Sequence, residues 1–414
     1  MAKKAEGARS ALLNYLLAKN PSLREEFSVL DPPEVPPLDP ERIHALAPFM
    51  ANAEANRQRI EALHDNFLEH SPARQRMVFR NSSHQTRYLL LHTLVNHAYT
   101  LRFDDPKAGL AEVELALTLL PDLDPQGAPE GFTQDLAAKI HAVHGNFLRI
   151  HSRLAESAAA FSLALAALRQ GTRTELERAQ YNELAADLDI VLGKLNVARN
   201  KLNQTVRAYQ ENRHIRLPDA LIRRALVASY LEDYPPALRD YSAAIQETTD
   251  SRLVLIAATN RAMTYNFAGN PRRALEYLFA LEPLYKEPSA KPFIPFRDWI
   301  HGQIALALDW PDEALAKLTA AMDAFIAKDD LVHAVLTGIT LSRAYLAAGN
   351  TRELLDLATK LETMARVPGL LTEQTAAVLF VVAAARSSTL TVVAAAACER
   401  YLRLSPSRRD ITYR

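Results

Sequence analysis

One cysteine in 414 residues, Cys398, leaves no partner for a disulfide within the chain. It lies in the apolar run Val392-Val393-Ala394-Ala395-Ala396-Ala397-Cys398 without a neighbouring cation, so a packed thiol is expected and a thiol nucleophile is not. Glycine is scarce, at 12 residues, and neither a Gly-x-Ser-x-Gly elbow nor a Gly-rich loop with lysine occurs. The usual signatures of nucleophilic catalysis and of phosphate binding are therefore missing. Charge of either sign is not in excess: Lys plus Arg and Asp plus Glu number 48 each. No global field draws the chain to nucleic acid or to an anionic membrane, and both are disfavoured as partners. Long hydrophobic runs are absent too. The longest spans Ala376 to Ala385, well short of the roughly 20 residues of a membrane helix. The segment Met1 to Ser10 is basic but lacks the apolar core of a secretory signal. These absences lead to the expectation of a cytoplasmic, non-catalytic protein with no cofactor and no metal.

Alanine and leucine dominate what is present, which favours helix almost everywhere. A small residue four positions before a bulky one returns about every forty residues. The anchors are Ser157, Ala198, Ala237, Ala274, Ala314 and Leu354, followed by Phe161, Leu202, Tyr241, Leu278, Leu318 and, as the one departure, Ala358. Four residues make one helical turn, so each anchor and its bulky follower share a face. Short turns precede most anchors: Gly193-Lys194, Asp233-Tyr234, Gly269-Asn270-Pro271, Asp309-Trp310-Pro311 and Gly349-Asn350. A fixed period built from two helices and a turn predicts a right-handed superhelical α-solenoid of about eight helix-turn-helix repeats.

Proline places the boundaries. Five prolines between Asp31 and Pro40 make an extended linker at 31–40 inside an atypical helical cap at 1–82, with short helices at 8–20 and 23–30 and continuous helix at 41–80. A first pair runs from Arg87 through Asp104-Asp105-Pro106 to Leu120, and Pro121 to Gly131 forms a long connection. Pairs follow at 133–169, 174–210, 218–247, 251–285, 293–327, 332–365 and 372–404, so the solenoid spans 83–404 and 405–414 is a basic tail. Leu217-Pro218 and Pro292-Phe293-Ile294-Pro295 fall between pairs, where helices must end.

With the anchors aligned, the stretch from Tyr265 to Leu278 resembles the tetratricopeptide repeat: Ala262, Tyr265, Gly269, Ala274 and Leu278 occupy the family's characteristic small, aromatic, glycine, alanine and large positions. Tyr345 to Asn350 and Asp233 to Tyr241 match in part, and the chain as a whole is similar to stand-alone bacterial repeat proteins. The spacing near forty exceeds the family's usual length, which implies longer helices or connections. The resemblance implies a protein- or peptide-binding scaffold or adaptor whose first helices line a concave groove. Carried over position by position, the groove residues are Asn146 and Arg149; Glu183 and Asp187; Arg223; Asn260 and Asn266; Trp299 and Gln303; and Arg343. Side-chain amides there suit a peptide backbone, and arginine suits a carboxylate. The chaperone-type carboxylate clamp is excluded, since Ala142 and Leu184 stand where its lysine and second asparagine belong.

Two further patterns carry no assignment. His141, His144 and His151, with His92 and His97 on the preceding helix, lack a cysteine or paired carboxylate to complete a zinc set. The arginines near the carboxy end suit a solvated tail. An alternative reading is a transcription-linked sensor in which 1–82 contacts DNA or polymerase and the array receives a signal. Partner identity and oligomeric state are not read from the sequence.

Overall fold

The computed structural model describes residues 60–404 apart from 61, 124–130 and 367–371. The expected helices at 8–20 and 23–30, the linker at 31–40 and the tail at 405–414 lie outside the described residues. The chain divides into two compact units between Ala185 and Ala186. Every element among the described residues is helical.

In the first unit a helical segment at 62–68 precedes α1 (Pro72–Asn81), α2 (His84–Thr100), α3 (Pro106–Leu119), α4 (Phe132–Ile150) and α5 (Leu154–Gln170). Continuous helix up to 80 is not found. Ser71 is extended, at φ −62° and ψ 153°, and Pro72 opens a new helix, because proline clashes with the helical conformation of the residue before it. Ser83 caps α2 by accepting from the Thr86 amide, and Asp105 caps α3 by accepting from the Ala108 amide.

The boundary between the units falls within α6 (Glu175–Val191). The second unit continues with α7 (Leu195–Glu211), α8 (Leu217–Tyr230), α9 (Tyr234–Glu247), α10 (Ser251–Phe267), α11 (Pro271–Ala280), α12 (Glu282–Tyr285), α13 (Ile294–Ala307), α14 (Pro311–Ala327), α15 (Leu331–Ala348), α16 (Thr351–Met364), α17 (Thr372–Arg386) and α18 (Val392–Leu404). The expected second helix up to 285 is broken at Leu281. Pro283 restarts the chain as the single turn α12, and a 3-10 stretch, Pro288–Phe293, follows. α15 is mostly apolar and about half buried, packed against α14, α16 and α18.

From α4 onward, each described pair turns on the same hydrogen-bonded device. One residue in the left-handed region follows the first helix: Ser152, Gly193, Glu232, Gly269, Asp309, Gly349 and Ser388, with φ between 57° and 78°. The next amide reaches back to a carbonyl of the last helical turn. Examples are Arg153 to Leu148 at 2.8 Å, Lys194 to Asp189 at 2.7 Å and Asn270 to Tyr265 at 2.9 Å. This is the Schellman closure, which satisfies carbonyls that a helix end leaves unpaired. Glycine takes the position without strain, whereas Ser152, Glu232, Asp309 and Ser388 take it at a cost of about 1–2 kcal/mol each.

Five residues beyond each of the first six of these sits the anchor, and twelve before the anchor lies a second small residue on the first helix. Those partners are Gly145, Ala186, Ala225, Ala262, Gly302 and Ser342, all buried. Anchor and partner mark the point where the two helices cross closely; the Ser157 hydroxyl donates to the Gly145 carbonyl at 2.7 Å. The bulky follower lies over the small partner. A Cβ built on Gly145 would meet Phe161 at 3.0 Å, and one on Gly302 would meet Leu318 at 2.5 Å. The inverted order at Leu354 and Ala358 has a counterpart one turn along, where Leu361 closes over Gly338 with a built Cβ only 2.7 Å away.

Two substitutions separate turn from crossing. Gly302→Ala, in helical backbone, should cost about 1–3 kcal/mol by overpacking against Leu318, and the penalty should shrink in a Leu318→Ala background when urea unfolding is compared in a double-mutant cycle. Gly269→Ala meets nothing within 4 Å, so its cost of about 1 kcal/mol should be purely conformational and should stay the same when Leu278 is shortened to alanine.

Candidate functional site

The first helices of the second unit carry a polar face on which charged groups are paired across neighbouring helices. Arg223 on α8 donates from Nε to the Asp187 carboxylate on α6 at 2.8 Å and from Nη1 to the Asp219 carbonyl at 3.2 Å. Arg224 points the other way, gripping Asp240 of its own pair through two hydrogen bonds of 2.6 and 2.8 Å. Adjacent arginines thus tie one pair to its predecessor and to its own second helix.

Farther along, α18 departs from regular stacking. It packs against α15, the first helix of the preceding pair, as well as against its own partner α17. Ala395 and Cys398 are fully buried there, and Leu402 is half-buried. Glu399 lies between them on the next turn and accepts from Arg343 Nη1 at 2.5 Å and from the Thr340 hydroxyl at 3.0 Å, both on α15. The Trp299 indole on α13 reaches the same Thr340 oxygen at 3.5 Å. The neighbouring Arg400 makes a two-point pair with Glu232, at 2.9 and 2.8 Å, in the turn between α8 and α9. That carboxylate raises the Arg400 pKa further above its ordinary value. The last described helix therefore lies on the first-helix face, gripped at Glu399 and tethered 168 residues back at Arg400.

The residues expected to line a groove divide into four groups. Asn146, Glu183 and Gln303 are 1%, 0% and 6% exposed, inside the helix packing, and do not form surface. Glutamate at a position read as solvent-facing is covered because neighbouring helices close over it. Arg149 is engaged within its own helix, donating to the Asn146 side-chain oxygen at 2.9 Å. Arg223, Asp187, Trp299 and Arg343 lie on the polar face but are paired within the chain. Trp299 also packs edge-on against Phe325 and against His333, with ring centroids 6.5 and 6.0 Å apart. Asn260 and Asn266 are half-buried on α10. The Asn266 side-chain oxygen and Arg343 Nε are buried and have no hydrogen-bond partner.

Glu399, Arg400 and Glu232 are absent from the sequence-derived set. Nothing in their local pattern marks them, since a carboxylate on a helix and an acidic turn residue are ordinary on exposed surfaces. Of residues 1–82, to which the transcription-linked reading assigns a contact, 1–59 and 61 lie outside the described residues.

The histidines left without an assignment in the sequence, His92, His97, His141, His144 and His151, do not converge on one point. His92 is half-buried and held neutral by burial and by Lys139, whose Nζ lies 3.2 Å from its Nε2; its pKa falls to about 4. His144 lies 3.9 Å from Glu114, and His151 reaches the Pro106 carbonyl at 3.2 Å. His97 turns elsewhere, toward Glu112.

No protein-family model matches the chain, and no curated protein matches it. Among solved structures, the crystal structure of a Rap protein complexed with competence and sporulation factor is similar at 13% identity with a TM-score of 0.47, covering 78% of this chain and 100% of that chain.

Proposed function

We propose that this protein is a non-catalytic scaffold that binds a protein or peptide segment on the first-helix face of its second unit. The observation that carries this reading is α18 itself. A helix of the same chain sits on that face with a carboxylate, Glu399, held by Arg343 and Thr340 and an apolar edge buried beside it. A partner helix presenting a carboxylate between small apolar residues would meet the same groups. Amphipathic helices docking in helical grooves take their affinity from such an apolar edge and their register from the polar contact.

On this reading α18 is the internal competitor. A tethered segment acts at an effective concentration on the order of mM, so an external ligand must either bind strongly or arrive when α18 is displaced. Glu399→Lys sets a cation against Arg343 and should release α18. A labelled peptide of residues 390–404 should then bind the full-length variant at least about tenfold more tightly than it binds wild type, as read by fluorescence anisotropy. Arg343→Ala should weaken that binding with helicity retained by circular dichroism. Equal, unsaturable titrations of wild type and Glu399→Lys would remove the face as a ligand site. Protein captured from lysate by the variant and released by the same peptide would extend the result to a natural partner.

A further inference from the structure

Three side chains far apart in sequence converge in the first unit. His64, on the helical segment at 62–68, is 3% exposed, and Glu112, in the second turn of α3, is 6% exposed. His97 comes from the last turn of α2, with its side chain 45% exposed. His64 Nε2 lies 2.6 Å from Glu112 Oε1, and His97 Nδ1 lies 3.0 and 2.8 Å from the two oxygens of the same carboxylate. The imidazoles meet edge to face, with centroids 4.7 Å apart. One ligand atom from each residue falls within 4.8 Å of the others. Behind His64, Asp65 Oδ1 is 3.1 Å from Nδ1.

We propose that His64 Nε2, His97 Nδ1 and the Glu112 carboxylate form a binding site for one divalent transition-metal ion of the zinc type, with Asp65 orienting His64 from outside the ligand set. Two imidazoles and one carboxylate are borderline donors that suit zinc, whereas calcium and magnesium take oxygen sets. With bonds of about 2.0–2.1 Å, tetrahedral ligands sit roughly 3.3 Å apart. The contacts of 2.6 to 3.0 Å therefore need to open by roughly 0.3–0.7 Å, and on the His97 side the half-exposed ring can give way. Three protein ligands leave a coordination position open for water on the His97 side.

The surroundings give a reason for a cation at this point. Leu94, Val95, Ala98, Val113 and Ala116 are fully buried on the two helices that carry His97 and Glu112, so a bare carboxylate among them would be costly. His64 faces a carboxylate from each ring nitrogen, Glu112 at 2.6 Å and Asp65 at 3.1 Å. A dication at the centre compensates the buried Glu112 charge directly. An Nδ1–H bond from His64 to Asp65 leaves Nε2 as the free lone pair, the second-sphere arrangement seen around metal-bound histidines.

The test uses the full-length chain, stripped with a chelator and titrated with zinc chloride by calorimetry, with elemental analysis and the visible spectrum of the cobalt-substituted protein. Expected are one zinc per chain, a rise in melting temperature on adding zinc and a cobalt d–d band of a four- or five-coordinate site. His97→Ala, which is tolerated because the ring is half-exposed, and Glu112→Gln, which keeps the side-chain shape, should each lower affinity by at least about 100-fold, and Asp65→Asn by about 10–100-fold. His144→Ala, outside the cluster, should change nothing. Substoichiometric zinc, or a titration unaltered by His97→Ala in a folded protein, would overturn the assignment. Neither result bears on the first-helix face of the second unit.

Discussion

The helix pairs depend on one close crossing, small residue against small residue, that lets two helices share a single layer of bulky side chains. Helix axes normally pack 8–10 Å apart, set by the residues at the contact. The left-handed residue of the turn fixes where the second helix begins. The anchor then falls five residues later, opposite a partner twelve residues back, so turn and crossing are one constraint. Where the turn residue is Glu232 or Asp309, the chain accepts local strain to keep that register.

Second helices are consumed by this packing on both flanks, and the first helices keep a polar face. Most of that face is settled inside the chain. Arg223 bridges two carboxylates, and Arg343 and Thr340 hold Glu399. On this face charge is thereby met in specific pairs, which give register between neighbours more than net stability. The return of α18 onto this face, with Arg400 fastened to Glu232, makes the face a place where a helix is already known to fit.

The first unit solves a different problem. Its segment at 62–68 is fastened by Phe67, fully buried, and by a polar contact inside apolar surroundings, His64 to Glu112. A buried carboxylate needs hydrogen-bond partners, and the imidazoles of His64 and His97 lie within reach of its oxygens. The same convergence of two imidazoles on one buried carboxylate underlies the affinity proposed for a metal.

The repeat period, the pair boundaries and the positions of the tight turns were legible in the sequence, because they rest on local chemistry: apolar spacing on a helix face, proline at first turns, and glycine where φ is positive. The break at Ser71-Pro72 was legible too but outweighed by the apolar pattern through Ile60, Leu63 and Phe67. Which polar residues face outward was not. Asn146, Glu183 and Gln303 occupy positions that read as surface along one helix, and only the neighbouring helices cover them. Glu399 lies 56 residues from Arg343, and Glu112 lies 48 from His64 and 15 from His97. Such meetings follow from how pairs stack and where the last helix turns back, and a sum of many weak packing contacts decides that without leaving a mark at any one residue.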